Sequence, residues 1–276
     1  MFLPLITSVL LAQSVSVSAA AAPRVEQFRY RFDNPSTFES AERVPHFFEQ
    51  KYDVVPLWFS VEARYRAGGT RAVTNAAVSL RATTHGSDID TFMLPSGDIA
   101  TSGTDGDVRL QSWALGQRFA VAERRGWQVG VTFDYRHDAA EFLPDDRIVT
   151  HTNPASITRT FISDREFTRS QVFAVGADIE RVHSRSGGWQ FRFGAGIQPM
   201  VAARLLVQLP DKYPGVDLTY GAISAGARAH WSLERAAGPL RLGIAMQATG
   251  ARGYRRSPAY SSRGVNVTIS AGTRER

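Results

Sequence analysis

The strongest constraint on this chain is a strict alternation of apolar and polar residues in two similar segments. One reads Trp127-Gln-Val-Gly-Val-Thr-Phe-Asp-Tyr-Arg136, the other Trp189-Gln-Phe-Arg-Phe-Gly-Ala-Gly-Ile-Gln198. Side chains of a strand alternate between its two faces. Trp127, Val129, Val131, Phe133 and Tyr135 therefore share one face, and Gln128, Gly130, Thr132, Asp134 and Arg136 share the other. An apolar strand face needs either a second sheet or lipid to cover it.

The same period recurs along the chain. It predicts strands over residues 24–32, 54–67, 71–83, 107–122, 126–142, 161–183, 188–209, 216–234, 239–254 and 263–273. That is about ten strands, with no sustained helical periodicity beyond the N-terminus. No apolar run after the N-terminus approaches the ~20 residues of a spanning helix. A barrel is not subject to that test, because only every second residue must be apolar.

The connections sort themselves. Gly68-Gly69, residues 124–126, residues 184–188 and residues 236–239 read as short turns. Residues 33–53, 84–106, 143–160, 210–215 and 255–262 read as longer polar loops. Short and long alternate, as they do in membrane barrels with tight turns on one side and loops on the other. Trp127, Trp189 and Trp231 all fall beside short turns, where an interfacial aromatic girdle is expected. Trp58 is the exception: its parity places it inside.

The chain looks like the small outer-membrane β-barrels of diderm bacteria. The fold this implies is all-β, a transmembrane antiparallel up-and-down barrel of about ten strands, between eight and twelve. Residues 23–276 would form that single domain, embedded in a lipopolysaccharide-bearing outer membrane by barrel assembly machinery. The chain departs from the pattern at its end, Thr273-Arg-Glu-Arg276, where such proteins commonly carry a terminal aromatic. Residues 1–22 read as a cleaved export signal, with an apolar stretch from Met1 to Ala12 and small residues around Ala20–Ala22.

Charge bears on what the barrel would enclose. The net charge is +6 and Lys51 and Lys212 are the only lysines, so the excess is carried by arginine. No lysine-rich tail or basic–aromatic motif points to nucleic acid. Parity assigns Arg29, Arg64, Arg66, Arg81, Arg118, Asp134, Arg136, Asp178, Glu180, Arg192, Arg228 and Arg241 to the lumen. Enclosed charges must pair or stay hydrated. The expected outcome is an ion-pair network in a structural barrel, with a narrow pore for small anionic solutes as its variant. Inward Gly130, Gly194, Gly196 and Gly243 would leave some room.

Candidate chemistry lies at the predicted outer rim: His85, Asp88, Asp90, His137 and Asp138, with Asp145, Asp146 and His151 beyond. Carboxylates beside histidines can activate water. Asp88-x-Asp90 resembles the paired aspartates of omptin proteases, but their Asp-x-His partner has no counterpart in Pro210-Asp-Lys-Tyr-Pro-Gly215. An outer-membrane hydrolase, omptin-like or lipid-modifying, is thus an alternative to a non-enzymatic barrel. A soluble exported barrel holding an anionic ligand is another. With no cysteine and no nucleotide or zinc motif, no cofactor or metal is expected.

Overall fold

The computed structural model describes residues 14–33, 47–67, 70–93, 99–152, 155–161, 165–208, 217–253 and 259–273, with Pro210 and Gly215. Thirteen antiparallel strands form one sheet: β1 Ser14–Asp33, β2 Phe47–Val54, β3 Leu57–Ala67, β4 Thr70–Ser79, β5 Ala82–Met93, β6 Ile99–Arg124, β7 Trp127–Thr152, β8 Ala155–Phe161, β9 Glu166–Ser184, β10 Trp189–Gln208, β11 Asp217–Ala237, β12 Leu240–Gly253 and β13 Ala259–Thr273. β2 and β3 are one strand kinked at Val55-Pro56, since β1 pairs with both in sequence. β4 and β5 are likewise one strand interrupted at Leu80-Arg81, and both pair with β6. β1 meets β13 from Ser18↔Gly272 to Arg31↔Ala259 and closes the ring. Ten strand positions result, as the periodicity predicts, with β8 attached outside the ring to the far end of β7.

The barrel is two tiers high. In the turn-end tier the outward parity is apolar: Val15 and Val17 on β1, Val61 on β3, Val129 and Phe133 on β7, Ile244 and Met246 on β12, and Val267 and Ile269 on β13 are all exposed. That belt is the surface a barrel gives to lipid. Toward the hairpin ends the polarity inverts. Phe28 and Tyr30 on β1, Tyr52 on β2, Val108 and Leu110 on β6, Phe142 on β7 and Tyr260 on β13 point inward and pack into one core. Arg29 and Arg81 are exposed on the outside instead, paired with Glu49 and Glu141.

This inversion corrects the sequence reading at those places. Assigning Arg29 to the lumen puts Phe28 and Tyr30, of the opposite parity, toward lipid; above the membrane the exterior is water, so the apolar face turns in and Arg29 turns out. Arg81 is turned out by the irregularity at Leu80-Arg81. The same cause explains the segments expected to be long loops. Residues 84–93, 99–106 and 143–152 continue as strands standing in water, where a polar outward face is no sign of a loop. In β10 the register shifts by one residue between Gln198 and Val201. Before that bulge the even positions face in, and after it Val201, Ala203, Leu205 and Val207 do, delivering an apolar run to the upper core.

Polar groups facing the belt satisfy one another. Thr74 donates to Gln117 Oε1 at 2.6 Å, and Gln117 donates to the Tyr65 hydroxyl at 3.3 Å. Hydrocarbon offers them no other partner. The β6–β7 turn carries its strain at Arg125 (φ 49°) and Gly126 (φ 80°), a hairpin geometry that needs positive φ.

The expected cut between Ala20 and Ala22 meets a structural cost. Ser14–Ala22 are the turn-end half of β1, with Ser14–Ala22 paired to β3 and Ser18–Ala21 to β13. Gly272 fits there because a Cβ would come within 2.5 Å of Ser18 Cβ. A chain starting at Ser14 is expected to refold into a compact species with heat-modifiable mobility on a denaturing gel. A chain starting at Pro23 should lack it. A compact band from the shorter chain would show that the first half of β1 is dispensable.

Candidate functional site

The lumen is built in layers by strands that bring inward residues to one height. At the turn end, Glu234 of β11 accepts from Arg64 of β3 at 2.9 and 3.2 Å, across the barrel, and from Arg241 of β12 at 3.0 Å. Arg64 also holds Glu62. Glu180 of β9 accepts from Arg192 at 3.3 Å and faces His230 Nε2 at 3.0 Å. One layer up, Asp178 takes Arg118 at 2.9 Å and Arg228 at 2.6 Å, while Arg228 and Gln198 reach Asp134 at 3.4 and 3.0 Å. The glycines foreseen as leaving room give it to this network. A Cβ on Gly130 would meet Asp178 Oδ1 at 2.6 Å, and one on Gly194 would meet His230 Cε1 at 2.6 Å.

The opposite wall is neutral. Ser18, Ala20, Ser60, Gln247, Thr268 and Ser270 line it, and between the two walls lies a cavity of about 350 Å³. Its ceiling is a charged layer. Arg136 of β7 donates to both oxygens of Glu26 on β1, the second at 3.0 Å, and its Nε donates to Asp138 at 2.7 Å. Ser112 and Ser170 also donate to Asp138, at 2.5 and 2.9 Å. Glu26 and Asp138 are 4% and 1% exposed, so their charges persist only because each is met by cations and donors. Trp58 is buried between Arg24 and Arg136, whose guanidinium carbons lie 4.5 and 5.1 Å from its ring centroid. Above sits the apolar core, tied across the barrel by Tyr30 donating to Ser170 at 3.1 Å and Gln50 donating to Glu166 at 2.7 Å.

Of the residues expected in the lumen, Arg64, Arg118, Asp134, Arg136, Asp178, Glu180, Arg192, Arg228 and Arg241 are there and paired. Arg66 keeps inward parity at the turn-end rim, paired in register with Arg71. Arg24 and Glu26 escaped the parity list because they share the parity of Phe28 and Tyr30, the face assigned to lipid, and Glu234 because it is the last residue of its expected strand. Among the described residues the rim group does not come together. Asp88 and Asp138 are buried inside. His85 is exposed outside, 3.8 Å from the equally exposed Asp107. His137 stands outside against Trp113, 5.8 Å between rings. Asp90 lies in β5, but its side chain, like those of Asp145, Asp146 and His151, falls outside the described residues. Among the described residues no group of three or more acids and histidines could hold a metal.

Comparison with solved structures places this geometry. The outer-membrane protease OmpT from Escherichia coli superposes with a TM-score of 0.62, covering 96% of this chain and 97% of that one at 8% identity. The fold is that of a bacterial outer-membrane β-barrel. Neisserial surface protein A (TM-score 0.34, 10% identity, 94% and 96% covered) and LpxR from Salmonella typhimurium (0.27, 10%, 92% and 99%) also match, too loosely to add to that. No protein-family model and no curated protein matches the sequence. The apolar belt and the Trp-led strands suit that fold.

Two outcomes follow for the plug of this outer-membrane barrel. Arg136→Met strands two buried carboxylates and should lower stability by about 3–5 kcal/mol, seen as an earlier urea midpoint in detergent. Adding Glu26→Gln and Asp138→Asn should recover most of the loss; an unchanged midpoint in the single variant would refute the layer's role. The second outcome concerns the tyrosines of the outer tier. Burial, then the negative charge of Asp138, pushes the Tyr260 hydroxyl up to about 12, and Tyr30 and Tyr52 move the same way. Unfolded tyrosine loses its proton near pH 10. The unfolded chain therefore releases protons first, and the barrel should lose stability as pH climbs from about 10 to about 12. Urea midpoints across that range should fall, less so in Tyr260→Phe.

Proposed function

We propose that the protein is an integral outer-membrane barrel that seals its own lumen, a closed scaffold rather than a solute channel. The observation that carries this reading is the set of contacts spanning the ring. Arg136 reaches from β7 to Glu26 on β1, and Tyr30 on β1 reaches Ser170 on β9, nearly the full diameter of a ten-stranded ring. Fifteen buried residues among those described fill the tier above. Barrels of this size hold side chains rather than an aqueous path.

An anion path through the arginines finds less support, because each arginine of the charged wall already faces a carboxylate within 4.0 Å. The hydrolase alternative rests on carboxylate–histidine pairs, and the buried aspartates and the outward histidines lie on opposite faces of the wall. His85 and Asp107 share the outer face, but both side chains are 64% exposed, with nothing to exclude water or seat a substrate. OmpT is a protease; at 8% identity that activity does not travel with the fold.

Reconstitution into a planar bilayer in concentrated KCl tests the reading. The expected record shows no steady open level above the bare membrane. A persistent ohmic conductance, above all an anion-selective one, would overturn the closed-scaffold reading and favour the pore.

A further inference from the structure

Three descending strands carry the same dipeptide at or near their turn ends: Glu123-Arg124 on β6, Glu180-Arg181 on β9 and Glu234-Arg235 on β11. Two ascending strands begin with another: Trp127-Gln128 on β7 and Trp189-Gln190 on β10. Pairing sets them against each other. Arg124 and Arg181 both lie in register with Trp127, and Arg235 lies in register with Trp189. Alternation then splits each dipeptide. Glu180 and Glu234 turn inward and are consumed by Arg192, Arg64 and Arg241. Arg181 and Arg235 turn outward onto the indoles, 5.1 and 5.2 Å from the ring centroids.

These two arginines differ from their inward counterparts in one respect. Among the described residues, neither has a carboxylate within ion-pair distance, whereas the lumen arginines do. Arg235 is exposed and Arg181 half-buried. A guanidinium stacked on an indole keeps its in-plane N–H donors free at the edge of the stack. Both stacks stand at the turn end of the apolar belt, beside Phe191 and Phe193, where acyl chains give way to headgroups. An unpaired cation held there by an aromatic shelf is matched by a phosphate, which accepts two parallel N–H bonds.

We infer that the Trp127–Arg181 and Trp189–Arg235 stacks are two binding sites for the phosphate of anionic phospholipid in the periplasmic leaflet. The indole supplies the shelf and the acyl-chain contact, and the arginine supplies charge and bidentate geometry. The proposal goes beyond the closed-lumen reading: it rests on the barrel spanning the membrane and not on its being sealed, since the sites lie outside the wall and a conducting barrel would present them equally.

Quenching of tryptophan fluorescence by brominated lipid measures it. The full chain is folded into phosphatidylcholine vesicles containing brominated phosphatidylglycerol or, in parallel, brominated phosphatidylcholine. At low salt the protein should prefer the anionic lipid about threefold or more, because an arginine at the surface gives up to roughly fivefold. Arg181→Gln with Arg235→Gln should bring the ratio close to unity, and each single variant should remove part of it. Arg263→Gln, an exposed arginine on β13 away from both stacks, should leave it unchanged. Heat-modifiable mobility verifies that each variant is folded, and either single variant carries the test should the double one not fold. No preference in the parent protein, or a preference that survives the double variant, would overturn the inference. So would displacement of the lipid by millimolar inorganic phosphate, which would mark a free-anion site instead.

Discussion

A backbone in hydrocarbon can send its N–H and C=O groups nowhere except to the next strand. Everything else in this barrel depends on that ladder closing on itself. Closure falls to β1 and β13, and the lower part of the seam is made by residues of little bulk. Ser18 faces Gly272, Ala19 faces Ala271 and Ala20 faces Ser270, while Ala21 meets the larger, outward Ile269. Thr273 Oγ1 accepts from the Val17 amide at 3.1 Å, which extends the seam past its last regular pair. Small inward residues let the two strands approach, and they leave the neutral wall that the cavity occupies. The closure requirement and the shape of the lumen are therefore one decision, taken by the same residues.

The charged wall answers a second constraint. A ring of ten strands is too narrow to hydrate many charges, so each enclosed arginine needs a carboxylate at its own height. The register supplies them in tiers: Glu234 and Glu180, then Asp178 and Asp134, then Glu26 and Asp138. Buried pairs of this kind add little net stability over apolar packing. Their effect is better seen in what they forbid. Moving a strand by one residue would put its carboxylate toward lipid and leave an arginine alone inside. The network thus fixes register in a barrel whose backbone ladder would tolerate slippage.

Much of this was legible in the sequence, and the failures share a cause. The Trp-led segments showed the parity of β7 and β10, and the charges of the lower lumen followed from it. Pairing partners could not follow, because period 2 says which face a residue takes and nothing about which strand stands opposite. Arg29 and Phe28 were placed on the wrong sides because one rule, apolar toward lipid, was carried past the point where lipid ends. β5 and the far ends of β6 and β7 read as loops for the same reason. Val15-Ser-Val-Ser-Ala19 alternates as strictly as any strand here, so the segment that reads as an export signal also carries the pattern of a strand. The β10 bulge at Pro199-Met200 exchanges faces within one strand, which no uninterrupted period can anticipate.

The repeated Glu-Arg dipeptide shows how few residues can serve both surfaces of a one-sheet wall. In a layered domain an acidic–basic neighbour pair usually lies on one solvated face. In a barrel wall the two side chains enter different media. The glutamate goes to a lumen that needs its charge, where Arg192 and Arg64 await it. The arginine goes to an interface that tolerates a cation only with a long stem and an aromatic to rest on. Neither residue could be exchanged with the other without stranding a carboxylate against the indole and a guanidinium beside Arg192. The order Glu then Arg near the turn ends of β9 and β11 is therefore dictated by the parity with which those strands leave the membrane.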